Sequence, residues 1–252
     1  MSFIKIDESS KGGPCCSKSI DFEIGCRNKC VGCYGSKTSY MSEKYFNEIK
    51  AKDYDEKKFR NACKLSFTKG VRFVRVGKHS DPGFSGNTEV LRSVLKIAGE
   101  EGLRLVVVSK SLTYDKEIAN LMDKYNHILH ISLGMLTEAP SDRDRYMTYQ
   151  DFFNNSAVNV NLRIVGDITK EFPYRIYQSM NSRCIITPMR FISKEVAVEY
   201  GADLSKYKYI NGYYRLITDE IHESWKQFSH WCGESVNSDG TTNAMCCKCL
   251  VK

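Results

Sequence analysis

No stretch of this 252-residue sequence reaches the roughly 18 consecutive apolar residues that a bilayer span requires, and residues 1–30 carry no apolar run of signal-peptide kind. The expectation is a cytoplasmic chain without a membrane partner. A glycine-rich phosphate loop of P-loop type is also missing, which argues against a nucleotide hydrolase of that class. There is no internal repeat beyond a strand–helix unit, and no linker before about His222 that would divide the chain.

What is present is the composition of a soluble globular protein: 42% hydrophobic and 27% charged residues, enough for one large domain with a buried core. Such a chain does not depend on disulfides, so its eleven cysteines point in a reducing compartment to metal ligation or thiol chemistry. They are clumped. Cys15, Cys16, Cys26, Cys30 and Cys33 lie near one end, Cys232, Cys246, Cys247 and Cys249 near the other, and only Cys63 and Cys184 between. A net charge of +7 and a pI near 8.7 favour an anionic partner, although the Lys and Arg residues are spread along the chain.

Short β-rich runs alternate with helical patterns. Strands are expected over residues 19–26, 71–77, 103–111, 128–135, 158–166 and 183–192. Helices are expected over 42–50, 55–67, 87–102, 115–125 and 174–180. In the third of these, Val90, Leu91, Val94, Leu95 and Ile97 share one side and Gly102 ends the helix. Six strands interleaved with helices specify a parallel sheet of right-handed βαβ units, an α/β fold of the partial (β/α)6 TIM-like barrel type. In such folds the functional groups collect in loops after the C-terminal strand ends. That rim carries Cys26, Cys30 and Cys33 after the first strand and Lys78, His79, Ser80 and Asp81 after the second. Later strand ends bring Ser109, Lys110 and Ser111, then Ser132, then Arg163.

"CRNKCVGC" has the spacing C-x3-C-x2-C. A redox pair of Cys30 and Cys33 leaves Cys26 unexplained. A zinc knuckle needs a fourth ligand, and the nearest, Cys15 and Cys16, precede the strand and would project from its opposite end. A 4Fe-4S cluster held by three cysteines leaves one iron open to a substrate or cofactor.

With Tyr34 straight after the third cysteine, this motif behind the first strand of a six-fold repeat resembles the radical S-adenosylmethionine (SAM) superfamily. The resemblance implies that Cys26, Cys30 and Cys33 hold a 4Fe-4S cluster whose open iron binds the amino and carboxylate groups of SAM. An electron, from a donor such as flavodoxin or ferredoxin, then releases a 5'-deoxyadenosyl radical that abstracts hydrogen from the substrate. Over residues 19–146, "RVGKHSDPGF", "LVVVSKSLTYDKEIANLM" and "HISLGMLTEAPSDRDRY" are similar in order and spacing to spore photoproduct lyase and its relatives. By that likeness Ser80, Lys110 and Ser132 contact SAM, with Lys110 suited to the methionine carboxylate. Tyr34 and Arg163 join them as cofactor-binding candidates, Arg163 toward the ribose or carboxylate. Gly83 stands where those relatives carry an aromatic residue after Asp-Pro, and no substrate-pocket cysteine of theirs finds a match, so thymine-dimer repair does not follow.

In "CGESVNSDGTTNAMCCKC", Cys232, Cys246, Cys247 and Cys249 offer up to four thiolates on what reads as non-regular backbone. An auxiliary iron-sulfur cluster or a structural zinc would suit them, with His230 as a spare ligand. The expected division is a barrel over 1–221 and a cysteine-rich tail over 222–252. "EFPYRIYQSM" and "YKYINGYYRL" mix aromatic and basic residues in a way that can stack on nucleic-acid strands. The substrate expectation is a nucleobase in DNA or RNA. Its alternatives are a peptide or protein substrate, or a non-catalytic zinc or iron-sulfur module.

Overall fold

Parallel strands buried along most of their length and caps at the helix starts account for most of the architecture. The computed structural model describes residues 2–8, 17–28, 30, 48–134, 141–172 and 184–246, with backbone alone for Glu234 and residues 243–246. Two short strands come first, β1 (Asp7–Glu8) and β2 (Lys18–Ile20), and then a small antiparallel pair, β3 (Glu23–Ile24) and β4 (Lys50–Ala51). The βα units follow as α1 (Glu56–Thr68), β5 (Phe73–Val76), α2 (Thr88–Glu100), β6 (Arg104–Ser109) and α3 (Lys116–Lys124). They continue as β7 (Ile128–Leu133), α4 (Asp142–Asn155), β8 (Asn159–Gly166), β9 (Cys184–Pro188) and α5 (Lys194–Glu199).

Strands β2, β5, β6, β7, β8 and β9 lie side by side in that order, all parallel, with β1 antiparallel at the β2 edge. This is the open, partial (β/α)6 barrel that the strand–helix alternation predicts. Several helices start where a side chain accepts an otherwise unpaired N–H. Asp55 takes Lys58 N–H at 3.0 Å, Asp115 takes Ile118 N–H at 2.8 Å, and Ser141 forms a reciprocal capping box with Asp144. On α2, Leu91, Val94, Leu95 and Ala98 are fully buried. Burying each Leu or Val there stabilises the fold by about 1.5–3 kcal/mol. Among the described residues no helix is long and apolar enough to cross a membrane.

Three departures from the sequence expectation have physical reasons. The helix expected over 42–50 is not helical at 48–50, where Lys50 and Ala51 instead pair with Ile24 and Glu23; residues 42–47, like the helix expected over 174–180, lie outside the described residues. Helix α4 has no counterpart among the expected helices, because the side chains it buries are Arg145, Tyr149 and Phe152 rather than an aliphatic stripe. The cysteine-rich end is not irregular backbone. There β12 (Cys232–Val236) and β13 (Thr242–Cys246) form an antiparallel hairpin whose polar and small residues conceal the alternation.

That hairpin is a small sheet of its own, joined to the edge strand β9 just ahead of β12. Trp231 bridges Ile186 in parallel, and Ile186 N–H donates to His230 O at 2.8 Å. Ahead of it, α6 (Glu223–Lys226) buries Trp225 against Phe172, ring centroids 4.7 Å apart, with Phe228 in the same core. A second hairpin, β10 (Tyr207–Ile210) and β11 (Tyr213–Leu216), hangs from the C-terminal end of β9 through paired hydrogen bonds between Phe191 and Tyr214.

Candidate functional site

The two faces of the parallel sheet differ sharply in chemistry. Toward the helices the alternate positions are apolar, as in Leu105 and Val107 of β6, Leu129 and Ile131 of β7, and Leu162 and Ile164 of β8. The intervening positions begin with a small separate cluster, Val106 and Ile128. Toward the C-terminal ends they become polar, with Lys110, His130, Ser132, Asn161, Arg163 and Thr187 on successive strands. Such groups on an inner barrel face serve a ligand rather than a core.

Two buried carboxylates hold the rim together. Asp21, just past β2, accepts the backbone N–H groups of Lys78, His79 and Ser80 at 2.8, 2.8 and 3.0 Å, and its other oxygen lies 3.1 Å from His79 Nδ1. Burial alone would push its pKa up, but the bonds and charge of His79 and the N–H of Ser80 outweigh it and bring the carboxyl down to about 2. Asp81 accepts Gly83 N–H at 2.8 Å and Ser109 Oγ–H at 2.5 Å on one oxygen. Its second oxygen takes Asn28 Nδ2–H at 2.6 Å and Lys110 N–H at 2.7 Å. These bonds occupy His79 and Asp81 in fixing the turn after β5. Gly83 is required by close approach, since a Cβ there would stand 2.2 Å from Leu112 N and 2.3 Å from Ser109 Oγ. The aromatic residue of the similar family has no room at this position.

Lys110 is one of the ordinarily exposed side chains that this rim buries. It is 8% exposed, and its Nζ has no hydrogen-bond partner among the described residues. Burial holds the ammonium below the usual lysine range, against the pull of Cys30, Asp142 and Asp81 and with the push of Arg145. Beside it, Arg145 is 3% exposed, donates to Ser132 O at 3.1 Å and pairs with Asp142 at 2.9 Å. Asp142 in turn accepts Gly134 N–H. Gly134 has φ +90 and lies so near β8 that a Cβ would sit 2.2 Å from Val165 O.

The other expected site residues fall as follows. Cys26 and Cys30 are half-buried thiols, outside any disulfide, in the loop that follows the first parallel strand; Cys33 and Tyr34 lie outside the described residues. Ser80 is 5% exposed and is bound to Asp21 through its N–H and, at 3.4 Å, its hydroxyl. Ser132 and Arg163 are register partners on β7 and β8, and Arg163 Nε donates to Thr187 Oγ1 at 3.0 Å. Cys63 and Cys184 are fully buried, and burial pushes both thiols up to about 12, so they are packing residues. Cys232, half-buried and outside any disulfide, is the register partner of Cys246 across β12 and β13; Cys15, Cys16, Cys247 and Cys249 lie outside the described residues. Among the described residues no three His, Cys, Asp or Glu groups gather as a metal site.

Sequence reasoning missed Asn28, Asp21 and Arg145. Asn28 carried the one available signal, a short amide inside the cysteine loop. The described part of the site fits an iron-sulfur cluster with SAM. Two half-buried thiols and a desolvated ammonium belong to one rim, and the ammonium has no hydrogen-bond partner among the described residues.

Solved structures of radical SAM proteins resemble this chain in fold, an open six-stranded parallel half-barrel. One is a doubly substituted spore photoproduct lyase with bound AdoMet and dinucleoside spore photoproduct, at TM-score 0.61 and 16% identity over 88% of this chain and 74% of that one. Another is the radical SAM methyltransferase TsrM from Kitasatospora setae with cobalamin and a [4Fe-4S] cluster bound, at TM-score 0.50 and 12% identity over 77% of this chain and 41% of that one. No protein-family profile matches the sequence, and no curated protein sequence does.

Proposed function

We propose that the protein is a radical SAM enzyme that holds a 4Fe-4S cluster on Cys26, Cys30 and Cys33 and cleaves SAM reductively. The observation that carries this reading is Lys110, an ammonium buried at the rim with no hydrogen-bond partner among the described residues, within electrostatic reach of Cys30. Bound there, the cluster and SAM would supply one-electron cleavage of a sulfur–carbon bond, yielding a 5'-deoxyadenosyl radical for hydrogen abstraction. Lys110 would meet the methionine carboxylate, Ser80, Ser132 and Arg163 would hold other parts of SAM, and Tyr34, next in sequence to the third cysteine, is a further candidate. The barrel excludes water around them. A flavodoxin or ferredoxin supplies the electron.

For substrate we favour a nucleobase in DNA or RNA. Support comes from the β10–β11 hairpin, at the same end of the sheet as the cysteine loop. Arg190 lies 4.8 Å from the ring centroid of Tyr213, and both side chains are partly exposed. Aromatic rings beside guanidinium groups bind unpaired bases and their phosphates, and a base reaching a barrel interior must be flipped or unpaired. The register pair Cys232 and Cys246, with Cys247 and Cys249 next in sequence, supports an auxiliary cluster or zinc site. That site favours the second reading, a peptide or protein substrate.

The test is anaerobic reconstitution with iron and sulfide, then reduction with SAM and chromatography for 5'-deoxyadenosine. The native chain is expected to produce it, Cys30→Ala to produce none, and Lys110→Met to need about 10- to 100-fold more SAM, the worth of one charged hydrogen bond. A native protein that takes up zinc alone at both cysteine groups would instead be a non-catalytic module.

A further inference from the structure

The cysteine spacing by itself does not say what holds the loop at a set distance from Lys110. Asn28, midway between Cys26 and Cys30, is 3% exposed. Its Nδ2–H donates to Asp81 Oδ2 at 2.6 Å, and its Oδ1 accepts Ser111 Oγ–H at 2.9 Å. The same Asp81 oxygen accepts the backbone N–H of Lys110 at 2.7 Å. One carboxylate oxygen therefore joins the cysteine loop to the strand end that carries the ammonium. The other oxygen is taken by Gly83 N–H and Ser109 Oγ–H, so Asp81 is gripped from both sides and cannot follow a displaced loop. Charge-assisted bonds in a buried network are the strong ones, and they fix geometry as well as energy.

We propose that Asn28 is a positioning residue: through Asp81 and Ser111 it sets the separation between the Cys26 and Cys30 thiolates and the Lys110 ammonium. The proposal rests on the radical SAM reading, in which the amino-acid end of SAM would bind between a cluster on the thiolates and the Lys110 ammonium. Only an amide serves at this position. Aspartate would place a second carboxylate against Asp81, where like charges repel, and serine lacks the reach and the paired donor and acceptor to hold both partners. Displacement of a reacting group by about 1 Å can cost on the order of a hundredfold in rate, so the tether bears directly on SAM use.

Asn28→Ala and Ser111→Ala test it in two arms. In the apo-protein, the rate of Cys30 alkylation by iodoacetamide, read by peptide mass spectrometry, is expected to rise about fivefold or more in Asn28→Ala and by less in Ser111→Ala, because the loop opens more often. After reconstitution both variants are expected to take up the native amount of iron. The SAM concentration that half-converts the electron paramagnetic resonance spectrum of the reduced cluster is expected to rise about tenfold in Asn28→Ala. Unchanged alkylation together with an unchanged SAM requirement overturns the proposal. Should Asn28→Ala fail to fold, Ser111→Ala, which removes one of the two tethering bonds and leaves Asp81 intact, decides both arms. A native chain that binds no iron defeats the proposed function instead, and the apo-protein arm still decides whether Asn28 tethers the loop.

Discussion

His127 shows at the scale of one residue how burial converts into a pH response. It is 1% exposed, its Nδ1 accepts Leu105 N–H at 3.0 Å, and Nε2–H then donates to Leu95 O at 2.9 Å. Burial lowers its pKa from 6.5 to about 4, with the Leu95 bond opposing and Arg104 adding to it. Between those values the unfolded chain binds the extra proton, so stability is full above about pH 6.5 and falls as pH drops toward 4. The loss amounts to roughly 3 kcal/mol at the one-unit rate of 1.36 kcal/mol. Urea melts at pH 7.5 and 4.5 measure it, and His127→Gln should flatten the difference. Asp21 adds a further loss at lower pH, because its carboxyl is held near 2 and its stabilisation is full only above the unfolded value of 3.8. At this scale the sequence displayed the cysteines and Lys110 plainly, since a spaced motif and a strand-end lysine are local patterns. Asn28 was not legible as a tether, because its partners stand 53 and 83 positions away.

The β10–β11 hairpin carries the argument at the scale of an element. Its register sets Lys208 opposite Arg215 and Ile210 opposite Tyr213 on one face, while Tyr207 and Tyr214 on the other pack beside Phe191. The hydroxyl of Tyr207 donates to Asp167 Oδ1 at 2.6 Å, pinning the ribbon to the end of β8. If the ribbon binds unpaired bases, Tyr213→Ala should weaken a fluorescent single-stranded oligonucleotide by about 1–3 kcal/mol. Arg190→Ala should reduce the slope of log affinity against log salt by about 0.7, the single-strand value for one phosphate contact. Titrations at several salt concentrations check both, and equal binding by native and variant chains would remove the ribbon from the substrate path. The strands β5 to β9 were legible as elements because they are short runs rich in β-branched and apolar residues. The hairpins and α4 were not, since polar, small or aromatic residues fill positions where aliphatic ones would reveal the period.

On the scale of the whole molecule, the segment after His222 shares the main core. Trp225 is 1% exposed, lies against Phe172 and Phe228, and donates its indole N–H to Lys170 O at 2.7 Å. Trp225→Ala is expected to destabilise the entire chain by about 3–5 kcal/mol, the usual cost of such a cavity. Denaturant melts followed by circular dichroism should move as one transition; a barrel signal that keeps its native midpoint would show the C-terminal segment to be independent of the barrel.

The sequence by itself determined the alternation of elements, the parallel half-barrel and the three-cysteine loop behind its first strand. Each of these is written in local periodicity and spacing, which burial on one face reads out directly. The tertiary structure alone decided which carboxylates clasp the rim, that Lys110 is buried without a hydrogen-bond partner among the described residues, and that the cysteine-rich hairpin is bridged to the edge strand β9. Those outcomes depend on contacts between residues far apart in the chain, and only closing the sheet brings such residues within hydrogen-bonding distance.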